Sequence, residues 1–133
     1  MKIVLESEDS ILLVAAEGML TIEAASAEET YSPFQMLASS LATCTFSVLD
    51  SWASQAKLTV SDLSVRIRWS FAEEPHRVDA FDVQLTWPSL PEARWSAAKR
   101  VAALCAVHAT LTHPPEIAIE IANSRAAVQP VST

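Results

Sequence analysis

Leu63, Val65, Ile67, Trp69 and Phe71 alternate with Ser64, Arg66, Arg68 and Ser70, the period of a β-strand with one buried face. After the turn Glu73-Glu74-Pro75-His76 the same period returns, with Phe81, Val83, Leu85 and Trp87 set against Asp82, Gln84 and Thr86, so the two segments predict a long hairpin. Before them, residues 2–6, 11–16 and 19–24 are short and apolar-rich, separated by Glu8-Asp9 and Glu17-Gly18. They predict three consecutive antiparallel strands, with Glu17-Gly18 as a hairpin turn and Ala25 to Tyr31 as a linker.

Between the strand groups the pattern changes. Ser32 to Ala53 predicts one long helix: Ser32 is a suitable N-cap, Pro33 fits the first helical position, and no Gly or further Pro follows before Ala56. Asp50 is its one charge, and apolar or small residues occupy nearly every azimuth, so the helix is expected to be wrapped on most sides. Its many Ser and Thr residues make it too polar for a membrane span. Pro91 to Val107 predicts an amphipathic helix with Trp95, Ala98, Val101, Ala102 and Cys105 on one side. His113-Pro114-Pro115 then breaks the chain before Ile117, Ile119 and Ile121, a last alternating strand. The order is that of a segregated α+β domain with a mainly antiparallel sheet around a long buried central helix.

Length bounds the rest. A chain of 133 residues makes a single domain, 1–133, whose apolar supply is short for wrapping a helix on all sides. With hydrophobic content at 50%, a partner subunit is expected. A net charge of −7 argues against nucleic acid and anionic membrane surfaces as partners. Acids at Glu6, Glu8 and Asp9 interrupt the first apolar run before it reaches signal-peptide length, which predicts a cytoplasmic protein. A single glycine, Gly18, excludes the Gly-rich phosphate loops, and no cofactor is expected.

Chemistry is concentrated in two cysteines, Cys44 and Cys105, too few for a disulfide scaffold. Free cysteine is among the most buried residue types, so both also read as small core hydrophobes. Cys105, His108 and His113 invite a metal reading, but their spacing is poor for a four-ligand site and no metal is expected. The tryptophans at 52, 69, 87 and 95 read as packing residues, although a pocket lined by Phe34, Trp52 or Trp69 would accept an apolar molecule.

The frame Ser32-Pro33-Phe34-Gln35-Met36-Leu37, the small-residue run to Cys44-Thr45, the Glu-Pro-His-Arg turn and Leu104-Cys105-Ala106-Val107-His108 together resemble the OsmC/Ohr family, named for osmotically induced protein C and organic hydroperoxide resistance. The resemblance runs from about Tyr31 to Ile121 and is nearest the family's less characterised redox branch. It implies an intertwined homodimer in which Cys44 and Cys105 form a catalytic thiol pair at the interface. The first would attack an organic hydroperoxide, the second would resolve the sulfenic acid as a disulfide, and a dithiol would reduce it. Phe34 and His108 would belong to the substrate pocket.

The hydroperoxide-reducing branch carries a glutamate where this chain has Phe34, supplies an arginine from its N-terminal strands, and follows its second cysteine with proline. Here no arginine precedes Arg66, and Ala106 follows Cys105. Cys44 also lies three turns inside its helix, beyond the N-terminal dipole, so a low thiolate fraction is expected unless Arg66, Arg68, Arg77 or His108 supplies a cation. The alternative function is a non-catalytic protein that holds a small apolar ligand in the same interfacial pocket.

Overall fold

The computed structural model describes residues 1–123. Five strands and three helices follow one another as β1 (Lys2–Ser7), β2 (Ser10–Val14), β3 (Thr21–Ala24), α1 (Pro33–Gln55), β4 (Ser64–Ala72), β5 (Arg77–Thr86), α2 (Trp95–Ala102) and α3 (Ala106–Thr112). A 3₁₀ turn at Glu92–Arg94 leads into α2. The strands form a single mixed sheet in the order β3-β1-β2-β4-β5.

Alternation along the strands becomes rows across the sheet. Leu5, Ile11, Ile67 and Val83 stand opposite one another, as do Ile3, Leu13, Val65 and Leu85, and Trp69 faces Phe81. A slip of one residue in any strand would turn its apolar set to the other face, so these rows fix the register. Ile3, Leu5, Ile11, Leu13, Val65, Ile67 and Trp69 are all buried, and Ala38, Leu41, Ala42, Phe46, Leu49 and Ala53 of α1 share their core. Burial of each large side chain contributes about 1.5–3 kcal/mol.

The start of α1 is tied down more tightly than an N-cap alone requires. The Gln35 amide N–H donates to Ser32 Oγ (3.2 Å) while the Ser32 N–H donates to Gln35 Oε1 (2.8 Å), a reciprocal capping box. Gln35 Nε2 also donates to the carbonyl of Ser7 (2.8 Å) in the β1–β2 turn. Gln35 is fully buried, so this one side chain both closes the first helical turn and docks it on the sheet.

Three expectations are corrected. The residues around Glu17-Gly18 do not make a β2–β3 hairpin, because β4 occupies the free edge of β2; β3 steps past and pairs in parallel with β1. Gly18 takes a φ of +95° in that crossing. The helix read from Pro91 to Val107 is divided into the 3₁₀ turn, α2 and α3. Ile117–Ile121 forms no strand in the single chain, and its isoleucines are 83–90% exposed. A strand needs an edge to pair with, and this segment lies on neither edge strand of the sheet, β3 or β5. β5 also begins at Arg77, earlier than its alternation announces. On α1, Met36, Leu37, Ser40, Ser47, Asp50 and Ser51 are exposed, so one side of the helix is open in the single chain.

Candidate functional site

The two cysteines come from packed elements. Cys44 lies midway along α1, half-buried, and Cys105 precedes the first turn of α3 with no exposure at all. No Gly or Pro marks the break between α2 and α3. At Cys105 the backbone is extended (φ −61°, ψ 133°), and its sulfur accepts the N–H of His108 at 3.4 Å, which makes Cys105 the N-cap of α3. Turning inward there buries Cys105 against α1 and lets its side chain satisfy an amide that a continuous helix would have satisfied with its own carbonyl.

Both thiols are free, and they stand close enough to shift one another's ionisation in opposite directions. Partial burial disfavours the Cys44 thiolate, but the Cys105 S–H and the backbone amides of Val107 and Ala106 donate to it and prevail, pulling its pKa below that of an ordinary thiol. Burial pushes the Cys105 thiol up, and its donation to Cys44 adds to that, outweighing the amides of His108 and Val107. The pair is asymmetric: the Cys44 thiol is shifted toward the thiolate and the Cys105 thiol away from it.

Against the low thiolate fraction expected for Cys44, the pair shifts its pKa downward, and no side-chain cation is among the causes. Arg66 pairs with Glu6 on the opposite side of the sheet from the core, and Arg77 donates to the carbonyls of Pro75 (2.9 Å) and Glu73 (3.4 Å) in the β4–β5 turn. The dipole of α1 is indeed too far away, but the amides opening α3 replace it. Sequence reading missed Ala106 and Val107 because their contribution is made by backbone and depends on a helix break that nothing in their side chains announces.

His108 and Phe34 part company. The exposed His108 borders a cavity of about 510 Å³ with Thr45, Phe81, Val83, Gln84 and Ala102, and a neighbouring one of about 320 Å³ with Leu41, Leu111 and Thr112. Phe34 sits ten residues before Cys44, roughly 15 Å of helix rise away. It packs edge-on against Phe71 (4.9 Å between ring centres) and His76 (5.6 Å), which stack on each other at 5.0 Å. Within one chain the two do not share a pocket. Trp52 meets Trp87 at 6.1 Å and Trp69 meets Phe81 at 6.3 Å.

Among the described residues, no three His, Cys, Asp or Glu side chains converge as metal ligands would. His113 caps the far end of α3, two turns from Cys105. No helix among the described residues is long and apolar enough to cross a membrane.

The OsmC-like protein family model matches residues 26–120, well over half of the chain, with both cysteines inside the match. The chain belongs to the OsmC-like family. A Psychrobacter arcticus 273-4 protein, described as an osmotic stress induced and detoxification response protein, shares this OsmC-like chain's fold with a TM-score of 0.58 and 22% identity. The likeness covers 63% of this chain and 62% of that one, so less than two thirds of the relative's length is spanned. No curated protein matches the chain.

Proposed function

We propose that this OsmC-like chain is a thiol-dependent redox protein that reduces organic hydroperoxides through Cys44 and Cys105, acting as a homodimer. The observation that carries the reading is the meeting of two free thiols, Cys44 midway along α1 and the buried Cys105 capping α3, and the opposite directions of their pKa shifts agree with it. Family membership and the likeness to a protein described as a stress and detoxification response protein support it.

The Cys44 thiolate attacks the terminal oxygen of the hydroperoxide, the O–O bond breaks, and the alkoxide leaves and takes up a proton as alcohol. Cys44 is then a sulfenic acid. The Cys105 sulfur attacks the Cys44 sulfur and expels water, leaving a disulfide. A dithiol returns both cysteines to thiols and is itself oxidised to a disulfide, so each cycle converts hydroperoxide and dithiol into alcohol, water and oxidised dithiol. His108 follows Cys105 on α3 and borders a cavity with Thr45, the neighbour of Cys44, and is assigned to substrate contact.

Turnover of cumene hydroperoxide against hydrogen peroxide, with a dithiol as reductant, tests the reading. Wild type is expected to prefer the organic substrate, Cys44→Ser to lose all activity, and Cys105→Ser to complete one turnover and stop as a sulfenic acid that dimedone traps. Phe34 in place of a glutamate, and the absence of arginine before Arg66, favour the second reading, a non-catalytic protein for a small apolar ligand. Wild type that consumes neither peroxide would leave that reading standing alone.

A further inference from the structure

The indole of Trp95 is 55% exposed beside a cleft of about 270 Å³, lined by Leu85 and Trp87 at the end of β5, by Leu90, and by Trp95, Ala98 and Lys99 of α2. Both indole N–H groups are already committed inside the chain: Trp87 Nε1 donates to the Thr59 carbonyl at 2.8 Å and Trp95 Nε1 to the Leu90 carbonyl at 3.4 Å. What the two rings offer the cleft is therefore their apolar surface. Ala98, 2% exposed, keeps a small side chain in the wall.

The polar side chain of the lining is that of Lys99. In a chain of net charge −7, its ammonium has no carboxylate within 4.0 Å among the described residues. Its chemistry suits one negative charge. A phosphate dianion would want several donors, and the lining supplies a single cation. The volume falls just under the range of about 300–1,000 Å³ typical of drug-sized ligands, which limits the occupant to one or two rings.

We propose that this cleft is a binding site for a small aromatic monocarboxylate, its ring against Trp87 and Trp95 and its carboxylate on Lys99. The site is separate from the thiol pair and goes beyond the redox reading. Aromatic rings favour offset-stacked or edge-to-face contact with indole, and the carboxylate gains a charge-assisted hydrogen bond at the rim. Lys99 and Leu85 also border the cavity that holds His108, so an occupant would lie next to the proposed substrate region without using its sulfurs.

Calorimetric titration of the full chain with 2-naphthoate, alongside the neutral 2-naphthalenemethanol, tests the proposal, with methyl NMR of Leu85 and Leu90 to locate binding. The expected Kd for 2-naphthoate is about 0.1 mM, the scale a ligand of this size reaches. Lys99→Met, which keeps an apolar stem, is expected to weaken the carboxylate roughly fivefold and leave the alcohol unchanged. Trp95→Ala, a change at an exposed ring, should weaken both about tenfold, and the Cys44→Ser/Cys105→Ser double variant should bind as wild type does. The proposal is overturned if wild type gives neither heat nor Leu85 and Leu90 shifts at millimolar 2-naphthoate, or if Lys99→Met affects acid and alcohol alike. It is equally overturned if Trp95→Ala changes the light-scattering mass of the ligand-free protein, which would make the cleft an interface with a second copy.

Discussion

Glu6 and Arg66 meet across the sheet through a two-pronged pair, Arg66 Nε to Glu6 Oε1 at 3.0 Å and Nη2 to Oε2 at 3.1 Å, and Ser10 Oγ donates to Oε1 at 2.8 Å. Alternation alone placed Arg66 on a solvated face; its side chain is 30% exposed and that of Glu6 28%, enough burial for the pair to matter. The Arg66 hydrogen bond, against the opposing effect of burial, holds the Glu6 carboxyl below the usual glutamate range. A carboxyl whose folded pKa lies below its unfolded value adds stability above the unfolded value, and that stability disappears as pH falls through the folded one. Glu6→Gln is therefore expected to cost about 1 kcal/mol at pH 7 and progressively less in acid, below the ordinary glutamate pKa. Urea midpoints of both proteins at neutral and acid pH check this; a gap that stays constant or widens in acid would refute it.

At the scale of elements, the amides opening α3 bear on the Cys44 sulfur of α1. Its first residue, Ala106, occupies the helical position that best tolerates proline, and Cys105 before it already has the extended backbone that precedes proline. Ala106→Pro should thus keep α3 intact while deleting one amide that donates to the Cys44 thiolate. The expected outcome is an upward shift in the apparent pKa of Cys44, read from the pH dependence of alkylation in a Cys105→Ser background with and without the substitution. An unchanged titration would remove Ala106 from the site. Legibility divides along the same line. β4, most of β5 and α1 were readable because period, caps and breakers are local, and the motif that carries Cys44 and Cys105 singled them out as the candidate thiols. The β1–β3 pairing was not readable, since it depends on β4 claiming the edge of β2, and the break at Cys105 was not, since it follows from burying a sulfur rather than from Gly or Pro. Gln35 stood in the sequence as part of a motif, but its hold on the Ser7 carbonyl is a contact across 28 positions.

For the whole molecule, the apolar surface left uncovered by one chain indicates what should cover it. Ile117, Ile119 and Ile121 keep strand alternation with Ala118 and Glu120, yet join no strand among the described residues and stand 83–90% exposed. Met36 on the open side of α1 is 49% exposed, Leu37 beside it 36%, and Leu104 between α2 and α3 75%. The outer edge of β5, at the end of the sheet, pairs with no other strand among the described residues. Large exposed apolar surface and an open strand edge are both liabilities for a lone chain in water, and a second copy removes both at once. Light scattering is accordingly expected to give a dimer mass at micromolar concentration, with a melting temperature that rises with protein concentration. Ile119→Lys sets a charge in the middle of the isoleucine tract without touching the described core of the chain. It is expected to shift the mass toward monomer and to lower the melting temperature by several degrees at fixed concentration, the scale of losing one or more buried isoleucines. A wild-type mass that stays monomeric across that range would overturn the homodimer reading, and an Ile119→Lys protein that dimerises and melts as wild type does would show that these isoleucines face water in the working molecule.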